Sequence, residues 1–492
     1  MPYTYSQYLK YINKVADIKF ASALLQWDQE TYLPPKGNYF RAQQLATLDE
    51  TAHSLFTNKK FGSLLNSLLS SSSLTTHQKK NIEISLYDYQ KAKKLTPAFV
   101  RKMSEVINHS FHAWIKARKE NDFSPFEKPL QEIINLKRIE ADSLGYSSHP
   151  YDALINNYDK GVTTEKINNL FDTLQPKLKS LINEIAEHPQ VDNSFLKRFY
   201  SKEKQWQLGI ELLKRIHFDF DAGRQDISEH PFTTSFNTQD VRLTTRIDEN
   251  DLENMVWSCL HEGGHGLYEQ GLPSEEYGLP QGEYCSISIH ESQSRLWENC
   301  VGRSLSFWQA NYPLIQNYFP ETFSNISSLD FFKAINKVQP SLIRTEADEL
   351  TYHLHIMIRF ELEKDLIMGT LKAKDIPARW NELYKKHLRI NVPNDNLGCL
   401  QDVHWSHGSF GYFATYSLGS LYAAQFFNVI EKSSDNFNLA DTHPVLTWLQ
   451  SNIYAHGRSL TSEEICKKAT GESLNINYFL EYAHKKFQMV YN

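Results

Sequence analysis

Residues 261–265 read His261-Glu262-Gly263-Gly264-His265, the pattern H-E-x-x-H. This spacing has chemical meaning only on an α-helix. There, residues i and i+4 lie about 40° apart around the axis and one turn apart along it, so both imidazoles can reach one ion. Glu262 falls about 100° round from His261, near such an ion without ligating it. That is the place for a general base acting on water. The preceding residues support a helix: Leu252, Met255, Val256, Cys259 and Leu260 form an apolar face at helical spacing. Asp248, Asn250 and Asp251 before them are capping types. Two glycines inside a helix cost about 1 kcal/mol each against alanine. Their small size therefore implies that another element or a substrate approaches closely. The plainer alternative is a helix carrying two surface histidines.

A catalytic zinc site needs a third protein ligand and one position left open. No short-spaced third histidine follows His265, since the next residues are Gly266-Leu267-Tyr268-Glu269-Gln270-Gly271. The ligand is therefore expected on a later element. The best segment is Ile289 to Asn299, which lacks helix breakers and carries Glu291 and, two turns on, Glu298. Glu291 is the first choice, with Glu298 in a supporting or structural role. Glu269, at i+4 from His265, competes but sits far along the first helix.

Helical periodicity dominates elsewhere. It runs from Phe20 to Trp27, breaks at Pro34-Pro35, and resumes from Arg41 to Ser54, from Lys79 to Glu120 and from Thr164 to Ile185. Ser70 to Ser73 reads as a loop before a helix that Thr75-Thr76 can cap. Strand character appears only between Pro231 and Asp248. There Asp240, Arg242 and Thr244 would share a face, lining a cleft or lying on a solvated edge.

Six short motifs then occur in order. They are His230-Pro231-Phe232, Asp240-Val241-Arg242-Leu243-Thr244, His261 to His265, His290-Glu291-Ser292-Gln293, Ile343 to Asp348, and Gly398 to Trp405. With Leu25 to Thr31, Arg41-Ala42 and Gly411 through Tyr416, they make the chain resemble the thermostable metallocarboxypeptidases of the carboxypeptidase Taq type. The likeness spans about residues 20–430. It implies a mostly α-helical zincin of the gluzincin type, with a deep groove and a small β-sheet. It reads residues 1–492 as a single domain, helical to about 225 and carrying the motifs over 230–416. It implies a homodimer that removes single residues of broad specificity from peptide C-termini. The metal ligands become His261, His265 and Glu291, the general base Glu262, and the ion zinc, with cobalt as an alternative.

The remaining roles follow from what such a reaction requires. A tetrahedral oxyanion needs a donor, and His404, Tyr412 and Tyr416 are candidates. Tyr416 is preferred for that task and Tyr412 is placed with substrate binding. A free α-carboxylate suits a planar guanidinium. Arg344 is the first choice, read as beginning a helix, with an i, i+4 ion pair to Asp348 as the alternative or as its orienting contact. Arg242 is the second, although an ion pair with Asp240 serves equally. His230 either donates to substrate or shapes the turn before Pro231.

Composition excludes several classes. With 52 Lys+Arg against 58 Asp+Glu, the formal charge is -6 and no basic stripe stands out, so nucleic acid is not an expected partner. No apolar run approaches the ~18–20 residues of a membrane span, so no membrane association is expected. The N-terminal residues do not read as a secretory signal. Five scattered cysteines without a CxxC fit reduced thiols and a cytoplasmic setting. A zinc endo-oligopeptidase of the same architecture and a catalytically silent peptide-binding protein are the competing readings.

Overall fold

The computed structural model describes residues 3–434 and 437–492. Among them, helices dominate and the strands number three. The elements that matter below are α1 (Tyr5–Thr31), α2 (Asn38–Phe56), α3 (Ser124–Leu144) and α4 (Pro150–Ile155). They continue with β1 (Gly223–Ile227), β2 (Thr233–Asn237), β3 (Asp240–Thr245), α5 (Leu252–Gln270), α6 (Ile287–Arg295), α7 (Thr351–Met368) and α8 (Phe413–Lys432).

Local chemistry explains the boundaries. Thr4 caps α1 in a reciprocal box with Gln7, each side chain accepting from the other's backbone N–H. The helix stops just short of Pro34-Pro35, and α2 returns along it. Thr75 accepts from the Gln78 backbone at 3.2 Å and so starts the next helix, after the serine loop. The long helical pattern from Lys79 to Glu120 is two helices, because Thr96 caps a new one at Pro97.

Contacts divide the chain into two compact units. The first comprises the residues up to Lys93, Asp192–Ile335 and Tyr422–Leu474. It holds α1, α2, the sheet, α5 and α6. The sheet order is β1-β3-β2, with β3 parallel to β1 and antiparallel to β2. β3 is therefore the central strand, not a solvated edge. Val241, Leu243, Thr244 and Thr245 on it are buried. β1, of sequence Gly-Arg-Gln-Asp-Ile, carries no apolar alternation and was not expected from the sequence.

The second unit comprises Lys94–Val191, Asn336–Leu421 and Asn475–Asn492. Its centre is α7, buried on nearly every face. That explains its lack of amphipathic contrast. Arg344 does not begin this helix: it lies in a 3₁₀ turn, Arg344–Glu346, and α7 starts at Thr351. The first half of α8, to Leu421, also belongs here. Among the described residues, no helix is long and apolar enough to cross a membrane.

Candidate metal centre and active site

α5 begins where the Asp251 carboxylate accepts from the Glu253 backbone N–H at 3.1 Å. It buries Leu252, Met255, Val256, Cys259 and Leu260, as the sequence pattern requires. The glycines after Glu262 decide what can sit beside it. A Cβ on Gly263 would meet the ends of Ile216 and Leu213 at 2.7 Å. A Cβ on Gly264 would meet backbone, lying 2.6 Å from Gln293 O and 2.7 Å from Ser294 Cα. Gly264 is thus the point at which α6 packs directly against α5. That contact brings Glu291 to the histidines.

His261 Nε2 and His265 Nε2 lie 3.8 and 3.6 Å from Glu291 Oε2. One donor atom from each of the three residues falls within 4.8 Å of the others. Ligands bound at about 2.0–2.2 Å with tetrahedral angles stand about 3.3–3.6 Å apart. The set therefore fits a four-coordinate metal with one position left for water or substrate. Glu269 is not part of it. Its carboxylate takes the Ser235 hydroxyl at 2.6 Å and His290 Nε2 at 2.8 Å.

Each candidate ligand is held from behind. His261 Nδ1 pairs with Glu298 Oε2 at 2.9 Å, and Glu298 is also bound by Arg295 and Arg303. Glu298 lies in a π-helical segment, Leu296–Val301, that continues α6. The wider turn re-aims a side chain, a common use of π segments at functional sites. His265 Nδ1 lies 2.6 Å from His290 Nδ1, whose other nitrogen meets Glu269. This chain selects the tautomer that leaves Nε2 free for an ion. Glu291 Oε1 accepts from Arg295 at 2.7 Å.

Electrostatics differ across the set. Burial, reinforced by His290 and His261, holds the His265 pKa well below its ordinary value, favouring the neutral ligating form. Burial also opposes charge on His261, but Glu291 and Glu298 outweigh it and raise its pKa. Glu262 is buried, and burial raises its pKa despite His261 and the Thr233 hydroxyl. Thr233, the first residue of β2, donates to Glu262 Oε2 at 2.6 Å. Nothing in the sequence pattern singled out Thr233, His290 as an orienting group, or Glu269 as its partner.

The sheet residues near these groups have other commitments. Arg242 forms a two-pronged pair with Asp240 (2.9 and 3.1 Å), and its guanidinium lies 4.3 Å from the Trp27 ring centre. The ion-pair alternative is the arrangement found. Thr244 is fully buried and ties the turn to the sheet through Ser228 and Phe232. The His230 ring is exposed, while its carbonyl accepts from Ser228 at 2.6 Å.

The second unit gathers Arg344, His404, Tyr412 and Tyr416. Arg344 does not pair with Asp348. Asp348 instead caps α7, accepting from Leu350 N, Thr351 N and the Thr351 hydroxyl. Arg344 donates to Asp402 Oδ1 at 2.9 Å, and Asp402 Oδ2 takes Arg359 at 2.6 Å. Burial opposes ionisation of Asp402, yet Arg359 and Arg344 hold its carboxyl well below the usual range. One carboxylate facing two guanidiniums leaves one positive charge unneutralised. Arg344 lies 5.1 Å from the Tyr416 ring centre. His404 Nε2 is 3.2 Å from the Tyr416 hydroxyl. Burial and the Arg344 charge drive the His404 pKa down to about 3, so its ring is neutral.

A family profile for the carboxypeptidase Taq (M32) metallopeptidases matches residues 7–487. The chain belongs to this family. It is a metallocarboxypeptidase, a peptide hydrolase with a metal cofactor. Carboxypeptidase 1 of Bacillus subtilis is 36% identical over 491 residues, covering 99% of this chain and 98% of that protein. Thermostable carboxypeptidase 1 of Pyrococcus furiosus is 35% identical, covering 98% of each. The crystal structure of an M32 carboxypeptidase from Deinococcus radiodurans superposes with a TM-score of 0.96 at 36% identity, covering 99% of both chains. The mostly helical fold with a small sheet is therefore that of M32 carboxypeptidases.

Proposed function

We propose that this M32 carboxypeptidase is zinc-dependent, acts at the last peptide bond, and uses Glu262 as its general base. The observation that carries the reading is the convergent set His261, His265 and Glu291, with Glu262 on the same helix as the histidines and held by Thr233. Two imidazoles and a carboxylate form a donor set suited to zinc, with cobalt as the alternative. The bound metal supplies Lewis acidity for the scissile carbonyl and lowers the pKa of water. Glu262 takes the proton from the attacking water and passes it to the leaving amine nitrogen. Thr233 fixes the Glu262 carboxylate for both transfers. His404 and Tyr416 supply the donor for the developing oxyanion. Their mutual 3.2 Å contact supports a joint role.

Arg344 receives the substrate's terminal carboxylate, with Asp402 holding its guanidinium and Arg359, on the same carboxylate, leaving a net positive charge. Tyr412 joins Arg344 in binding substrate, whereas Arg242 is engaged by Asp240. These groups and the metal read backbone atoms shared by all peptides, which supports broad side-chain specificity. Replacing Arg344 with Ala removes charge-assisted hydrogen bonds that contribute about 1.5–3 kcal/mol each. A loss of about 10²-fold in kcat/KM on a free-acid peptide is expected, together with collapse of the acid-to-amide preference. A variant that still strongly prefers the free acid would remove Arg344 from this role.

The family match is continuous over 7–487, which supports reading the chain as one catalytic domain. The five cysteines stand as thiols and four of them are buried, which supports a reducing, cytoplasmic setting. The homodimer reading has its support in α2. This 19-residue helix buries only Ala52, while Tyr39 and Phe40 are 69% and 66% exposed beside a groove lined by Leu25, Phe40 and Leu48. The exposed Tyr39–Phe40 pair suits contact with a second copy of the chain. Light scattering is expected to give twice the chain mass for the wild type and the single-chain mass after Tyr39→Ser with Phe40→Ser. A monomeric wild type, or a variant that stays dimeric, contradicts it.

A further inference from the structure

We infer that Glu363, which the proposed reaction does not use, is a positioning residue that locks both ends of the 405–411 segment. It thereby sets where His404 and Tyr412 point. This rests on the reading that His404 and its neighbours take part in the reaction.

Glu363 lies on α7 and is fully buried, and the Lys137 charge favours its ionised form. Its carboxylate faces three donors. Oε1 accepts from the Trp405 indole N–H at 2.8 Å. Oε2 accepts from the Gly411 backbone N–H at 2.9 Å and from the Tyr151 hydroxyl of α4. Trp405 directly follows His404, and Gly411 directly precedes Tyr412. One side chain thus grips both ends of a seven-residue stretch.

The stretch is built for such a grip. Gly408 and Gly411 adopt φ of 69° and 91°, which side chains other than glycine rarely take. A Cβ on Gly411 would lie 2.6 Å from the Leu154 carbonyl carbon, so the loop rests against the α4 backbone. Tyr158 packs edge-on against Tyr412 with ring centres 5.1 Å apart. The Glu363 carboxyl is pushed by burial up to about 7, while Tyr151, Gly411 and Trp405 pull it down. A buried carboxyl is a costly anchor, and an apolar side chain here would leave the Trp405 and Gly411 N–H groups without an acceptor. Two loop donors that only donate, an indole N–H and a peptide N–H, explain why an acceptor with two oxygens stands here.

Geometry dictates what glutamine would do. With its NH2 in the Oε1 position it confronts the Trp405 N–H. With the NH2 in the Oε2 position it confronts the Gly411 N–H. Either way one end of the loop loses its acceptor. If residue 405 has no indole N–H, however, glutamine can place its NH2 there and keep its oxygen for Gly411 and Tyr151.

The test compares wild type, E363Q, W405F, the E363Q/W405F double variant, Y151F and H404A. The readouts are kcat and KM on one unblocked peptide, with circular dichroism and metal content as checks on folding. Expected are a loss of at least about tenfold in kcat for E363Q with a smaller rise in KM as Tyr412 loosens, and no further loss in the double variant relative to W405F. Y151F, which leaves both loop contacts intact, should stay within about twofold of wild type. If E363Q does not accumulate as folded protein, the comparison of Y151F with W405F carries the same contrast. The inference is overturned if H404A is crippled while E363Q keeps its kcat. It also falls if the losses in E363Q and W405F simply multiply, or if Y151F loses as much as E363Q. If H404A itself keeps wild-type kcat, the catalytic reading of His404 fails instead, and with it the reason for holding the loop.

Discussion

Glu262→Gln is expected to leave metal content near wild type and lower kcat by about 10²–10⁴-fold, the usual contribution of a positioned acid–base group. The substitution is nearly isosteric. Glutamine still offers an oxygen to the Thr233 hydroxyl, which now donates at 2.6 Å. His261, His265 and Glu291 are untouched, so the donor set keeps its geometry. What disappears is the ability to take a proton from water and hand it on. KM should change little, because no proposed ground-state contact to substrate is removed. Metal analysis alongside steady-state kinetics checks both halves. A variant that binds metal and keeps more than about a tenth of its kcat would show that another group carries the proton.

Gly264→Ala is expected to damage the metal centre, despite the helix propensity that alanine gains. That gain is about 1 kcal/mol. Against it stand contacts of 2.6 and 2.7 Å to the backbone of Gln293 and Ser294. Backbone cannot rotate away as a side chain does. α6 must retreat by on the order of 1 Å to reach ordinary contact distance. Glu291 retreats with it, from donors now 3.6 and 3.8 Å away. A misplacement of this size can cost about 10²-fold in rate. The expected outcome is weakened metal affinity in competition with a chelating dye, together with a fall of that order in kcat/KM. Gly263→Ala is the control. Its Cβ meets terminal methyls of the buried Ile216 and Leu213 rather than backbone, so it should keep its metal at a modest cost in stability. Equal metal affinity in both variants would contradict the role given to the α5–α6 contact.

These two residues also show how far the sequence could be read. The helix under His261 and His265 follows from apolar spacing and an Asp cap, both local signals. The need for small residues at 263 and 264 was legible too, because glycine inside a helix demands a reason. Which element comes close was not, since Gln293 and Ser294 lie beyond a loop. The choice between Glu291 and Glu269 depends on that same contact, and no spacing rule decides it. Arg344 gives the opposite lesson. Its nearest acidic neighbour in helical register, Asp348, turned out to cap α7, while its partner Asp402 lies 58 residues away. Local rules favour the near carboxylate, and tertiary packing selects the far one. β1 escaped notice for a related reason. Gly-Arg-Gln-Asp-Ile has no strand pattern of its own and is ordered by parallel pairing with β3. The π-helical widening at Leu296–Val301, which helps aim Glu298 at His261, likewise has no sequence signature.

The central claim is metal-dependent removal of residues from a free C-terminus. It is tested most directly by incubating the enzyme with one unblocked peptide and with its C-terminal amide, each with and without chelator, and following the products by mass spectrometry. The account expects stepwise loss of single residues from the free acid alone, abolished by chelator and restored by zinc. Internal cleavage, equal activity on the amide, or activity that survives metal removal would contradict it.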